Sequence, residues 1–77
     1  MNNDHDIKVL NSLVETTLDS AEGYAEAAKD AKSAQLVSLF QGRASDRRRA
    51  ASTLQQCVRS LGGEPEDEGT LLASAHR

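Results

Sequence analysis

Residues 37–63, VSLFQGRASDRRRAASTLQQCVRSLGG, read as one long amphipathic helix with an abrupt stop. Val37, Phe40, Ala44, Arg47, Ala51, Leu54, Val58 and Leu61 recur at alternating spacings of three and four, which keeps one stripe of a helix turned toward a partner. Arg47 is the one position of that seam that is not apolar. Gly62 and Gly63 close the run: a left-handed residue after the last turn satisfies the free carbonyls, and glycine takes that conformation without a Cβ penalty. Pro65 then prevents the helix from resuming.

Upstream, Ser33 is the natural cap of this helix, because Leu36, Val37 and Phe40 begin the apolar pattern immediately behind it. The pattern is interrupted around Asp30–Lys32, and before that break lies a second amphipathic run. Ile7, Leu10, Val14, Thr17, Ala21, Tyr24 and Ala28 form its stripe, widened by Leu13, Leu18 and Ala25. So broad a face suits a bundle interior better than a two-stranded seam. Asn3, Asp4 and Asp6 all offer side-chain oxygens to its first turn. Gly23 interrupts it, at a cost of about 1 kcal/mol relative to Ala that a kink or a close helix approach would explain. A connection this short makes neighbouring helices antiparallel, so the spacing predicts a hairpin of helices over 4–30 and 33–61.

Downstream, residues 62–69 form an acidic linker containing Pro65. Thr70 reads as a third cap before Leu71, Leu72, Ala73 and Ala75, so a third helix is expected to begin over 70–77. The 77 residues form a single domain, all-α, in which two long helices and a stub leave apolar surface uncovered. Either the chain self-associates into a four-helix assembly or it is the first part of a longer domain.

Composition narrows the function classes. Nine basic against 12 acidic residues give a formal charge of −3, which lacks the positive field that nucleic acid or an acidic membrane surface requires. No apolar run approaches the ~20 residues that span a bilayer, and residues 1–6 are polar and acidic where a signal peptide is basic and then apolar. With Cys57 as the single cysteine there is no internal disulfide, which fits a reducing cytoplasm. Tyr24 and Phe40 are the only aromatic residues, so the core is built from aliphatic side chains and many alanines.

Leu39, Phe40 and Gln41, then Leu54–Leu61 running into Gly62, Gly63, Glu64, Pro65, Glu66 and Asp67, resemble one bacterial family. Gly69, Thr70 and Leu71 with Ala75, His76 and Arg77 extend the likeness, as do Leu10, Asn11, Leu13, Val14, Glu15, Thr16, Asp19, Gly23 and Tyr24 in the first helix. It is a ferritin-like four-helix-bundle family known only as a domain of unknown function. The resemblance covers nearly the whole chain and about half of a typical member, which continues through the rest of helix three and a fourth helix. It implies a ferritin-like hairpin as the first half of a bundle, and no established reaction.

A ferritin-like fold raises the question of a di-iron centre, whose ligands are inward-facing Glu residues and Glu-x-x-His pairs. Glu15, Asp19, Glu22 and Glu26 share one stripe of the first helix, but in the register of Ile7, Leu10 and Val14 that stripe faces away from the core. The second helix has neither Glu nor His. These carboxylates therefore read as a solvated face. The consecutive Arg47, Arg48 and Arg49 fan around their helix, so they make a poor phosphate-tracking stripe. Arg47 either snorkels out of the seam or meets a carboxylate from a neighbouring helix, and at the level of Glu15–Thr17 it is expected to act as a polar register device. His5 and His76 lack ligand-spaced companions. Cys57, beside Val58, reads as a small buried hydrophobe, and Tyr24 as a core ring.

The expectation is thus a non-enzymatic hairpin that forms a homo-oligomer, most simply a dimer, with no cofactor. Its interface residues are Ile7, Leu10, Val14, Thr17 and Tyr24 on the first helix, and Val37, Phe40, Arg47, Leu54, Val58 and Leu61 on the second. The alternative is a ferritin-like iron-binding protein with Glu15, Glu22 or Glu26 as ligands assembled across an oligomer.

Overall fold

The computed structural model describes residues 3–76, which form α1 (Asp4–Asp30), α2 (Ala34–Ser60) and α3 (Thr70–His76) and no strand. Arg77, the last residue of the expected third helix, lies outside the described residues. α1 and α2 pack as a hairpin about the short connection at Ala31–Ser33, and α3 packs on α1.

The helix ends follow from local chemistry. The Ser33 hydroxyl accepts the Leu36 amide at 3.4 Å and caps α2. At the other end Gly62 is left-handed, with φ 84°. The Gly62 amide donates to the Arg59 carbonyl at 2.9 Å and the Gly63 amide to the Val58 carbonyl at 3.0 Å, the paired bonds of a Schellman stop. Asn3 occupies the N-cap position of α1, but not through its side chain. Its Nδ2 reaches the Leu61 carbonyl instead, at 3.5 Å, and ties the start of α1 to the end of α2.

The innermost rank of the hairpin is made of small residues at every seventh position. Val14, Ala21 and Ala28 are buried on α1, and Ala44, Ala51 and Val58 on α2. Tyr24 lies against Phe40, with ring centroids 6.2 Å apart, and an antiparallel hairpin in that register sets Ala21 level with Ala44 and Val14 level with Ala51. A strict seven-residue repeat is the pattern of a left-handed supercoil. Alanine at the contact line lets the two helices approach closely, since interaxial distance follows side-chain size. Gly23 does not serve that approach: a Cβ added there meets nothing within 4 Å.

After Gly63 the chain turns back and runs up α1 as an extended strap. Gly63 sits so close to Ile7 that an added Cβ would lie 2.8 Å from its Cγ2. Asn11 Nδ2 donates to the Glu64 carbonyl at 2.9 Å and Asn11 Oδ1 accepts the Glu66 amide at 2.8 Å. From α2, Gln55 Nε2 donates to the Glu66 carbonyl at 2.8 Å. The strap therefore lies in the groove between the two helices, held from both sides. It ends where Asp19 Oδ1 accepts the Thr70 amide at 2.9 Å.

Three expectations change here. Thr70 is not the cap of α3 but its first residue; Asp19 of α1 supplies the capping oxygen, and the Gly69 carbonyl accepts the first helical bond, from Ala73. Glu15 does not face solvent: it is 8% exposed, because the strap covers its flank of α1. Cys57 is exposed rather than buried, one step around α2 from the inward-facing Val58.

Candidate interaction face

The hairpin has two broad faces, and the strap lies across one, over the half nearer the start of α1. Asn11 and Gln55 mark that side. At about 100° per residue, Leu10, Leu13, Thr17 and Tyr24 project from the other flank of α1, and Leu36, Phe40, Arg47, Leu54 and Leu61 from the corresponding flank of α2. Contacts within the protomer agree. Tyr24 and Phe40 meet across the helices on this side, and the Arg47 guanidinium sits over the Tyr24 ring, 6.0 Å from its centroid.

Burial grades smoothly across this surface. Val14 and Val58 are fully buried within the protomer. Leu10, Thr17, Tyr24, Val37, Phe40, Leu54 and Leu61 are half-buried, Arg47 is exposed, and Ile7, also half-buried, lies against Gly63 at the start of the strap instead. Leu13 is 48% exposed and Leu36 and Leu39 are each 45% exposed, so large aliphatic side chains stand in water beside the half-buried ones. An open concavity of about 340 Å³, lined by Ser20, Gly23, Tyr24, Ala27 and Phe40, lies at the aromatic end.

The face varies along its length. Leu10, Leu13, Leu54 and Leu61 form an aliphatic zone near the start of α1. Thr17 and Arg47 make a more polar waist at mid-length, with the Arg47 guanidinium reaching toward Tyr24, and Tyr24, Phe40 and Leu36 form a second apolar zone toward the hairpin turn. Arg47 has an aromatic ring beneath it, where a carboxylate of a neighbouring helix was one of two expectations. Glu15 cannot take that role, because it lies on the strapped flank. A guanidinium held over a ring at this distance keeps its donors free for solvent or further hydrogen bonds.

The strapped side carries a cluster of carboxylates, with Lys8 beside the strap and Lys29 and Arg48 in the open half of the groove. Glu22 is exposed on α1, and Glu64, Glu66, Asp67 and Glu68 follow one another in or near the strap. His76 Nδ1 and Glu68 Oε2 lie 2.6 Å apart, which joins the end of α3 to the strap. Glu26 pairs with Lys29 at 3.3 Å on the solvent surface. The three carboxylates of the iron alternative, Glu15, Glu22 and Glu26, all belong to this flank of α1. Among the described residues no three His, Cys, Asp or Glu side chains converge as metal ligands.

The arginine run is managed locally. Arg43 and Arg49 both pair with Asp46, one turn away on either side, the first at 3.9 Å. Such exposed pairs contribute roughly 0.3–0.5 kcal/mol each, so the run is a charged helix surface with partial internal neutralisation. Among the described residues no helix is long and apolar enough to cross a membrane.

The architecture and surface define a class: an all-α helical hairpin with a back-folded strap, an uncovered apolar face along both long helices, and exposed Leu71 and Leu72 on the short α3. The chain belongs to the family described as Domain of unknown function (DUF2383), which matches residues 5–77. No curated protein and no solved structure matches the chain at a significant level.

Proposed function

We propose that this protein is a non-enzymatic half-bundle, a helical hairpin that self-associates through the apolar faces of its two long helices to complete a ferritin-like four-helix bundle. The observation that carries this reading is that the chain is one helix layer thick. Its Cα extents are 51 × 24 × 12 Å, whereas a stable domain packs two layers around a core. The radius of gyration is 14.3 Å, against ~11.5 Å for a compact chain of this length. The accessible surface is 5436 Å², against ~4,600 Å² for a compact protein of this mass. The surplus is close to the ~800 Å² that each partner contributes to a standard interface.

Because folding and association are linked in such a protein, its thermal midpoint rises with protein concentration. Calorimetric scans over a hundredfold concentration range test this: a midpoint independent of concentration contradicts the proposal. Arg47 at the polar waist acts as a register device in this reading. Arg47→Leu is then expected to change the oligomeric state or helix register, measured by light scattering and crystallography; no change would remove that role. A reducing cytoplasm suits the exposed lone thiol.

No cofactor enters this reading. Iron binding by Glu15, Glu22 or Glu26 is at a disadvantage because these side chains share the strapped flank, away from the surface offered to a second copy. Incubation with ferrous iron followed by elemental analysis separates the two readings, and near-stoichiometric iron in the particle would favour the metalloprotein.

A further inference from the structure

We infer that a second copy of this chain docks on one face only, the face of Leu13, Leu36, Phe40 and Leu54, and that the strap closes the assembly at two copies by obstructing the other. The inference rests on the self-association reading and adds to it which surface is used and why growth stops.

A bare hairpin offers two similar grooves, one on each side of the helix pair. Stacking on both sides would propagate from copy to copy, whereas use of one side alone forms a closed pair. Here one groove is filled from within over its half nearer the start of α1, while its half toward the hairpin turn, lined by Ala28, Lys29, Gln41 and Arg48, stays open. Asn11 and Gln55 hold Glu66 from the two helices at 2.8 Å each, and Asp19 holds the end of the strap through Thr70 at 2.9 Å. The strapped side also carries Glu22, Glu64, Glu66, Asp67 and Glu68 against Lys29 and Arg48 farther along the groove, and this excess of negative charge opposes pairing of that side with itself.

Whereas the exposed leucines of the strapped side, Leu71 and Leu72, are confined to the seven-residue α3, the open face is apolar along both long helices. It carries half-buried Phe40 and Leu54 next to Leu13 and Leu36, which are 48% and 45% exposed. Its area is sufficient. Two 27-residue helices are each ~40 Å long, and side by side they present a strip ~20 Å wide. This is about the ~800 Å² per partner of a standard interface. Its one polar waist sits at mid-length, so two copies related by an axis in the plane of the face align waist with waist and apolar zone with apolar zone.

The test compares charge insertions on the two sides, with the wild-type chain as reference, by sedimentation equilibrium. Leu13→Glu and Leu36→Glu place a carboxylate on the open face at positions already exposed in the protomer. Gln41→Glu places the same charge on the other side, in the groove that it lines with Lys29 and Arg48. Circular dichroism identifies which variants keep the helices. The expected result is a wild-type dimer whose dissociation constant rises about tenfold or more in each leucine variant and is unchanged in Gln41→Glu. A dimer weakened by Gln41→Glu and indifferent to both leucine variants overturns the assignment of the face while leaving self-association intact. Growth of the wild type beyond two copies overturns the closure by the strap. A wild-type chain that stays monomeric at every concentration overturns the self-association reading beneath both.

Discussion

Asn11 of α1 and Glu66 of the strap are joined side chain to main chain across 55 positions of sequence, the Asn11 Oδ1 accepting the Glu66 amide at 2.8 Å. The same asparagine uses its Nδ2 to hold the Glu64 carbonyl. One amide side chain thus replaces a strand partner for an extended segment that has no sheet to join.

Asn11→Ala removes both of these bonds. The loss expected is about 1–2 kcal/mol, at the usual net worth of intramolecular hydrogen bonds. Hydrogen exchange provides the local readout: the Glu66 amide exchanges faster while the amides of α2 keep their protection. Unchanged exchange at Glu66 would contradict the role given to Asn11.

Asp19 and Gly69 form a coupled pair at the start of α3. A Cβ on Gly69 would fall 2.2 Å from Asp19 Oδ1, so Gly69→Ala must displace the side chain that caps Thr70. Asp19→Ala is expected to cost about 1 kcal/mol as the loss of a cap, and Gly69→Ala at least as much. In the double variant the clash has already been relieved, so the two costs are less than additive in a double-mutant cycle. Strict additivity would mean the two residues do not act on one another.

Two glycines predict opposite signs. Gly62 has φ 84°, and Ala in that conformation is expected to cost about 1–2 kcal/mol. Gly42 lies within α2 with nothing within 4 Å of an added Cβ, so Gly42→Ala is expected to stabilise by about 0.5–1 kcal/mol. Chemical denaturation of the two variants side by side checks both the signs and the difference.

The alanine rank predicts intolerance of bulk. Ala44 is 2% exposed and Ala21 1% exposed, and they face one another at the same level of the hairpin. Ala44→Leu is expected to destabilise by about 1–3 kcal/mol through overpacking. Val14→Ala, which empties a fully buried site, is expected to cost about 2 kcal/mol. A stabilising Ala44→Leu would show that the helices are not in close contact there.

The hairpin was legible in the sequence because its causes are local or periodic. Ser33 three residues before Leu36, the Gly62–Gly63 stop and the apolar stripes each announce themselves within a few residues. The strap was not legible, since its anchors are polar residues spaced by no period: Asn11 and Asp19 look like ordinary solvent-facing positions until a distant segment is laid over them. Glu15 was misread for the same reason, and Thr70 because the oxygen that caps its helix comes from another one. For the interaction face, the stripe was evident, but not which of its flanks stays open. That depends on the path of the linker after Gly63. Gly63 was read with Gly62 as the helix stop, and its close approach to Ile7 shows only in the structure.

The central claim is that this single-layer hairpin completes its core with a second copy of itself. The mass of the native particle, measured by sedimentation equilibrium over a range of concentrations, tests it most directly. The account predicts twice the chain mass of 8.3 kDa at concentrations where the helices are folded. A folded particle of one chain mass throughout the range would contradict it.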